Sequence, residues 1–370
     1  MINKKSAIMF SVVSLMVLAM SNIKVSAQGT SNRLWGTDRY ETSSQICSNG
    51  WTKSEYAVIA SGENFPDALG AASLAKKYNA PILLTEKNGL NENTSNQLAK
   101  LGVKHAFIVG GPGVVSSTVE SQIKSKGIAV DRFYGADRYE TSISIAKQMG
   151  NTSEVAVVTG EDFSDGLSIG PIAAKKGIPV ILVPKTNLPA VIKNYISDKN
   201  ISKTYIIGEN DMISDEVAAQ FPNVERITGS NRYDRNINII NRFEDDINFD
   251  KVCIASGENF PDALSGTAYA ALNSSPIFLV SSNLNANAKT FISSKLAKIN
   301  TVNILGGEAV VSQSILNNIT NSSVNIPKSP TTEDDSANIQ EDGIDLNNPT
   351  LNNSTNTDGT EYNLNDSELK

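Results

Sequence analysis

Six acidic residues recur beside glycine turns in this chain, and they are the residues best placed to do chemistry. Glu63, Glu161 and Glu258, with Asp67, Asp165 and Asp262, fall just after apolar runs that end near a glycine. Open α/β folds bind ligands at such strand ends, and a carboxylate pair there can divide acid and base work. The competing reading is structural, because acids at a helix start satisfy its orphan N–H groups. The residue types favour capping and turn-making. Arginines recur as well: Arg33, Arg132 and Arg226, then Arg39, Arg138 and Arg232. A guanidinium pairs well with carboxylate or phosphate. They suit an anionic ligand or contacts between repeats, and both readings stay open.

Other chemistries lack their residues. His105 is the single histidine, whereas a catalytic zinc site commonly takes about two or three. A Ser-His-Asp or Cys-His arrangement would need His105 too. Cys47 and Cys253 occupy non-equivalent positions, so a disulfide framework is not expected. Neither nucleotide-binding glycine motif occurs, and Gly110-Gly111-Pro112-Gly113 is a weak imitation. The expectation is a non-catalytic protein without a cofactor or metal.

The elements that hold these residues repeat. Ala60–Leu69 and Ala255–Leu264 are the same ten letters, Ala-Ser-Gly-Glu-Asn-Phe-Pro-Asp-Ala-Leu, and a looser copy runs from Thr159 to Leu167. Phe65, Phe163 and Phe260 mark a period close to a hundred residues, about the size of a small domain. Each unit opens alike: Gly36-Thr37-Asp38-Arg39-Tyr40-Glu41-Thr42, Gly135-Ala136-Asp137-Arg138-Tyr139-Glu140-Thr141 and Gly229-Ser230-Asn231-Arg232-Tyr233-Asp234-Arg235. Asp or Asn there predicts an N-cap. Apolar runs follow at 56–60, 155–159 and 251–255, then at 81–84, 179–182 and 276–279, then up to Gly110, Gly208 and Gly306. Short β-branched runs without alternation read as parallel strands covered on both faces. Strands alternating with helical spacing predict an α/β fold with parallel sheets. The units are placed at 31–127, 128–223 and 224–320.

Charge and termini bound the partners. The net charge is −7, but the last fifty residues hold ten acids and two lysines, leaving the repeats close to neutral. Nucleic acid is therefore not expected as a partner, since phosphate binding needs a basic surface. Residues 321–370 are polar and without periodicity, and read as a disordered acidic tail. Residues 1–27 read as a signal peptide: Lys4 and Lys5, an apolar stretch from Ala7 to Met20, and cleavage between Ala27 and Gln28. The apolar stretch is short for a membrane span. The mature chain is expected outside the cell, without a membrane or lipid anchor.

The repeated openings, the Ser-Gly-Glu-Asn-Phe-Pro-Asp-Ala-Leu block, the Pro-Ile-Leu-Leu run and the Val-Gly-Gly turn together resemble the clostridial-type cell wall binding repeat 2 family, over about residues 31 to 320. That resemblance implies three tandem Rossmann-like modules in a pseudo-threefold arrangement. It implies non-covalent anchoring to an anionic secondary cell-wall polysaccharide, at the cell wall or in the surface layer (S-layer) of a Gram-positive cell, beside S-layer proteins. It also implies polymer attachment at Pro81, Ile82, Leu83 and Leu84; at Pro179, Val180, Ile181 and Leu182; and at Pro276, Ile277, Phe278 and Leu279. An apolar run cannot itself pair with anions, so Lys76, Lys77, Lys175 and Lys176 are added as its polar neighbours. The alternative is a peptidoglycan hydrolase, an N-acetylmuramoyl-L-alanine amidase, or an amidase modifier.

Overall fold

The computed structural model describes residues 30–282 and 286–320. The expected signal peptide, the expected Ala27–Gln28 cleavage point and the expected disordered tail lie outside these described residues. The described residues form three four-stranded parallel sheets with helices between the strands. The strands are β1 (Thr30–Leu34), β2 (Tyr56–Ser61), β3 (Ile82–Thr85), β4 (His105–Val109), β5 (Ala129–Phe133), β6 (Glu154–Thr159), β7 (Val180–Val183), β8 (Lys203–Ile207), β9 (Val224–Ile227), β10 (Lys251–Ser256), β11 (Ile277–Val280) and β12 (Thr301–Leu305). The sheet orders are β3-β2-β4-β5, β7-β6-β8-β9 and β1-β12-β10-β11.

These orders carry a shift that the repeats do not announce. The strand that opens each sequence repeat completes the sheet of the repeat before it. β5 pairs with β4, and β9 with β8. β1 pairs with β12, from Thr30 opposite Thr301 to Leu34 opposite Leu305. The first described strand is thus built into the last sheet, and the three modules close into a ring. Every sheet therefore crosses a sequence-repeat boundary.

The ring is filled at its centre. The helices Ala71–Lys77, Ser164–Lys176 and Pro261–Asn273 pack against one another. Phe65, Phe163 and Phe260 meet at one end of them, with ring centroids 5.5, 5.7 and 6.2 Å apart. Seven residues beyond each phenylalanine stand Ala72, Gly170 and Thr267. A Cβ on Gly170 would lie 3.4 Å from that of Ala72 and 3.6 Å from Thr267. Small residues let the helix axes approach this closely. One continuous apolar core includes Leu74, Leu167, Leu264 and Leu305, so the modules share an interior.

The helix expected after the ten-residue block is interrupted in the first repeat. A 3-10 turn (Pro66–Ala68) precedes the helix there, while the other two repeats form thirteen-residue helices. Gly70 stands at the break, where the other repeats carry Ser168 and Ser265; glycine is the costlier residue inside a helix.

Candidate functional site

The opening Arg-Tyr pair of each repeat clamps the turn that carries the acids. Arg39, Arg138 and Arg232 each donate to the carbonyl of Gly62, Gly160 and Gly257 at 2.5, 2.5 and 2.6 Å. Tyr40, Tyr139 and Tyr233 lie over the same glycines, where a Cβ would come within 2.5 to 2.7 Å of the ring. No larger residue fits there. The Asp38, Asp137 and Asn231 side chains cap the helices that begin at Arg39, Arg138 and Arg232, as their positions predict. The other arginines are held by main chain too. Arg33 donates to Gly306 and Val311, Arg132 to Gly110 and Val115, and Arg226 to Gly208 and Ile213. The hydrogen bonds of Arg39, Arg138 and Arg232 stay within their own repeats, whereas those of Arg33, Arg132 and Arg226 join a repeat's opening to the repeat before it.

The repeated aspartates do not cap their helices, contrary to the capping expectation. The cap residues Phe65, Phe163 and Phe260 offer no side-chain acceptor, and at the second start it is Asp162 that accepts from the Ser164 amide, at 2.7 Å. Asp67, Asp165 and Asp262 instead turn inward over Gly110, Gly208 and Gly306, the residues that follow β4, β8 and β12. Those glycines have φ of 105°, 118° and 108°, which disfavours any side chain. Burial pushes the Asp67 carboxyl up, against Thr141 and Arg138, and raises Asp262 to about 6. Among the repeated glutamates, Glu63 accepts from the Lys87 amide at 3.2 Å.

Each aspartate faces the opening of the following repeat, and a cleft forms at the first of these junctions. Between the first two modules it has a volume of about 390 Å³ and is lined by Asn64, Asp67, Gly111, Tyr134, Asp137 and Thr141, among others. Tyr134 is 51% exposed, and its ring lies 3.4 Å from where a Gly111 Cβ would stand. At the junction between the third module and the first repeat's opening, Trp35 lies over Gly307 in the same way, at 3.5 Å.

The junction between the second and third modules is built differently. Elsewhere Thr42 or Thr141 accepts from the Gly36 or Gly135 amide at 3.0 or 3.1 Å. Here Arg235 replaces the threonine, and Glu209 replaces the second glycine of the turn. Glu209 accepts from the Gly229 amide at 2.6 Å. Arg235 bridges Asp165 and Glu209 at 2.8 Å each, with Asp165 fully buried. Arg232 adds an ion pair to Asp162 at 2.8 Å and lies over the Phe163 ring. The two departures, Glu209 and Arg235, are one compensated change. Both were visible in sequence as separate irregularities of the second and third repeats; only the fold sets them side by side.

The residues implied by the Pro-Ile-Leu-Leu run all lie inside. Pro81, Ile82, Leu83, Leu84, Pro179, Val180, Ile181, Leu182, Pro276, Ile277, Phe278 and Leu279 are buried. β3, β7 and β11 are sheet edges, but a neighbouring module covers each. The helix Pro261–Asn273 packs on β3, and Ser164–Lys176 on β11. Ser73 donates to the Ile178 carbonyl at 2.7 Å, beside β7. The edge backbone is also occupied by Ser43, Ser142 and Asn236, which accept from the Leu84, Leu182 and Leu279 amides at 3.1, 3.1 and 3.0 Å. Such covering closes an edge that would otherwise pair with another strand.

The four lysines cluster at the other end of the central helices from the phenylalanines. Lys76 donates to the Leu272 carbonyl at 3.4 Å, and Lys77 to Gln148 and Met149 at 2.6 and 3.1 Å. These contacts satisfy carbonyls where other modules' helices end. Lys175 is exposed. Lys176 pairs with Glu154 and Asp246 at 3.5 and 3.7 Å.

His105 stacks on Tyr56 at 5.1 Å, and burial pushes the Cys47 and Cys253 thiols up to about 12. Among the described residues, no group of histidine, cysteine and acidic side chains could hold a metal ion, and no helix is long and apolar enough to cross a membrane.

Comparison with known proteins matches this architecture. The family model for cell wall binding domain 2 (CWB2) fits residues 33–120, 132–218 and 226–316. The chain belongs to the CWB2 family. Cwp6 from Clostridium difficile superposes with a TM-score of 0.75 at 29% identity, covering 80% of this chain and 48% of that one. Cwp8 from the same organism gives 0.73 at 26%, covering 86% and 55%. Two Bacillus subtilis (strain 168) proteins are also similar: N-acetylmuramoyl-L-alanine amidase LytC, 34% identical over 296 residues, and the amidase enhancer, 35% over 298. Each match covers 80% of this chain, which spans 59% of LytC and 40% of the enhancer. Three tandem CWB2 repeats imply binding to the cell wall, at the cell surface.

Proposed function

We propose that this chain is a non-catalytic surface protein, exported by its signal peptide and held non-covalently to an anionic secondary cell-wall polysaccharide by its three modules. The observation that carries this reading is the run of three CWB2 repeats closed by β1 into one body. S-layer proteins are the neighbours it would have there. In this reading the buried β3, β7 and β11 runs act from beneath. They fix the module seams and so the surface that the polymer meets, while exposed lysines such as Lys77 and Lys175 supply positive charge above them.

The similarity to LytC and the amidase enhancer keeps a second reading in play, amidase or amidase-modifying activity. The similarity to LytC lies in the binding repeats, and a single histidine is poor material for zinc-dependent hydrolysis. Two measurements test the proposal. The mature chain should sediment with intact walls and stay soluble with walls stripped of their secondary polymer. Equal sedimentation with both would remove the polymer from the account. A zymogram on intact peptidoglycan should show no clearing band, and a band that chelation abolishes would install the amidase reading instead.

A further inference from the structure

We infer that the ring offers two sugar-binding clefts rather than three, each floored by an aromatic ring, and that the ion-paired side chains at the third junction occlude its cleft. This inference rests on the wall-binding reading and assigns its site. The first cleft presents the half-exposed face of Tyr134 beside Gly111, with Asn64, Asp137 and Thr141 around it. The equivalent positions at the ring closure are Trp35, Gly307, Asn259, Asp38 and Thr42. An aromatic face suits the apolar C–H face of a pyranose, and short amide, hydroxyl and carboxylate groups suit its hydroxyls.

At the remaining junction the aromatic position is Thr228, the open glycine is Glu209, and Arg235 spans to Asp165. Arg235 is 6% exposed, so its guanidinium takes up the space beside the turn. The ligand class follows from charge. The first cleft contains Asp67 and Asp137, and Arg138 already donates to the Gly160 carbonyl. Two acids with one engaged arginine select an uncharged sugar unit of the polymer over its anionic group.

The test titrates the full mature chain with wall polysaccharide released by mild acid and purified. Tyr134→Ala and Trp35→Ala should each weaken binding about tenfold, the size of a single interface anchor. Tyr134→Phe and Thr228→Ala should bind like the parent, and any competition by inorganic phosphate at the lysines should be the same in the parent and in the Tyr134→Ala and Trp35→Ala variants. Trp35→Leu, which keeps apolar bulk without the aromatic face, repeats the Trp35 test should the alanine variant melt early. Unchanged binding by the Tyr134 and Trp35 variants, while the parent binds, overturns the cleft assignment and leaves wall binding intact. Weakening by Thr228→Ala overturns the count of two, and phosphate competition that the Tyr134→Ala and Trp35→Ala variants lose overturns the uncharged ligand. A parent chain that ignores the purified polysaccharide defeats the wall-polymer reading and the clefts together.

Discussion

At the scale of single residues, the Asp165–Arg235–Glu209 group shows how one junction departs from the other two without loss. Thr42 and Thr141 each accept from a glycine amide, and Thr141 also faces Asp67; here Glu209 takes the first task and Arg235 the second. Removing one member leaves a buried charge unpaired. Arg235→Ala should therefore lower unfolding stability by about 3–5 kcal/mol, read by chemical denaturation. The double change Glu209→Gly with Arg235→Thr restores the pattern of the other junctions and should recover most of that loss. A double variant as unstable as Arg235→Ala would show that the two sites are not coupled. Asp262 supplies a pH test. Its carboxyl is raised from 3.8 to about 6, mainly by burial. A raised acid favours the folded state fully below its unfolded value, and that contribution is lost as pH climbs through about 6. Thermal melts of Asp262→Asn should show a smaller fall in stability between those two values than the parent. Parallel curves would mean that the buried carboxyl does not titrate as placed.

At the scale of elements, the strands other than β1, β5 and β9 were legible because they are short and apolar, end at a glycine or begin after a proline, and recur in all three repeats. Helix caps at Asp38, Asp137 and Asn231 followed from residue type. Two things were not legible. The inward turn of Asp67, Asp165 and Asp262 depends on glycines some forty residues further on, which no local rule connects. The pairing of β1 with β12 joins positions about 270 apart, and nothing in a run such as Thr-Ser-Asn-Arg-Leu names its partner. That strand makes a sharp prediction. Without residues 30–34, β12 becomes an uncovered edge, and the Gly306 and Val311 carbonyls lose Arg33. A chain beginning after Leu34 should melt at lower temperature and self-associate, seen by calorimetry and light scattering. An unchanged melt would mean that the ring does not need its closing strand.

At the scale of the molecule, threefold repetition gave the architecture, and the centre of the ring explains why the ten-residue block is so alike in the first and third copies. Its phenylalanine meets two others at the axis, its glycine sits under a tyrosine ring, and its aspartate reaches the next strand end. The same packing buries the Pro-Ile-Leu-Leu runs, because each edge strand is the seat of a neighbouring module. What could not be read from sequence was the surface: clefts arise between modules, from residues of two repeats. The central claim is that this surface holds a wall polysaccharide without chemistry on the wall. It is tested most directly by adding soluble, purified polysaccharide to walls that carry the bound protein. Release should rise with polysaccharide concentration while the peptidoglycan stays insoluble. Protein that remains on the wall at saturating polysaccharide, or leaves only with solubilised peptidoglycan fragments, would contradict it.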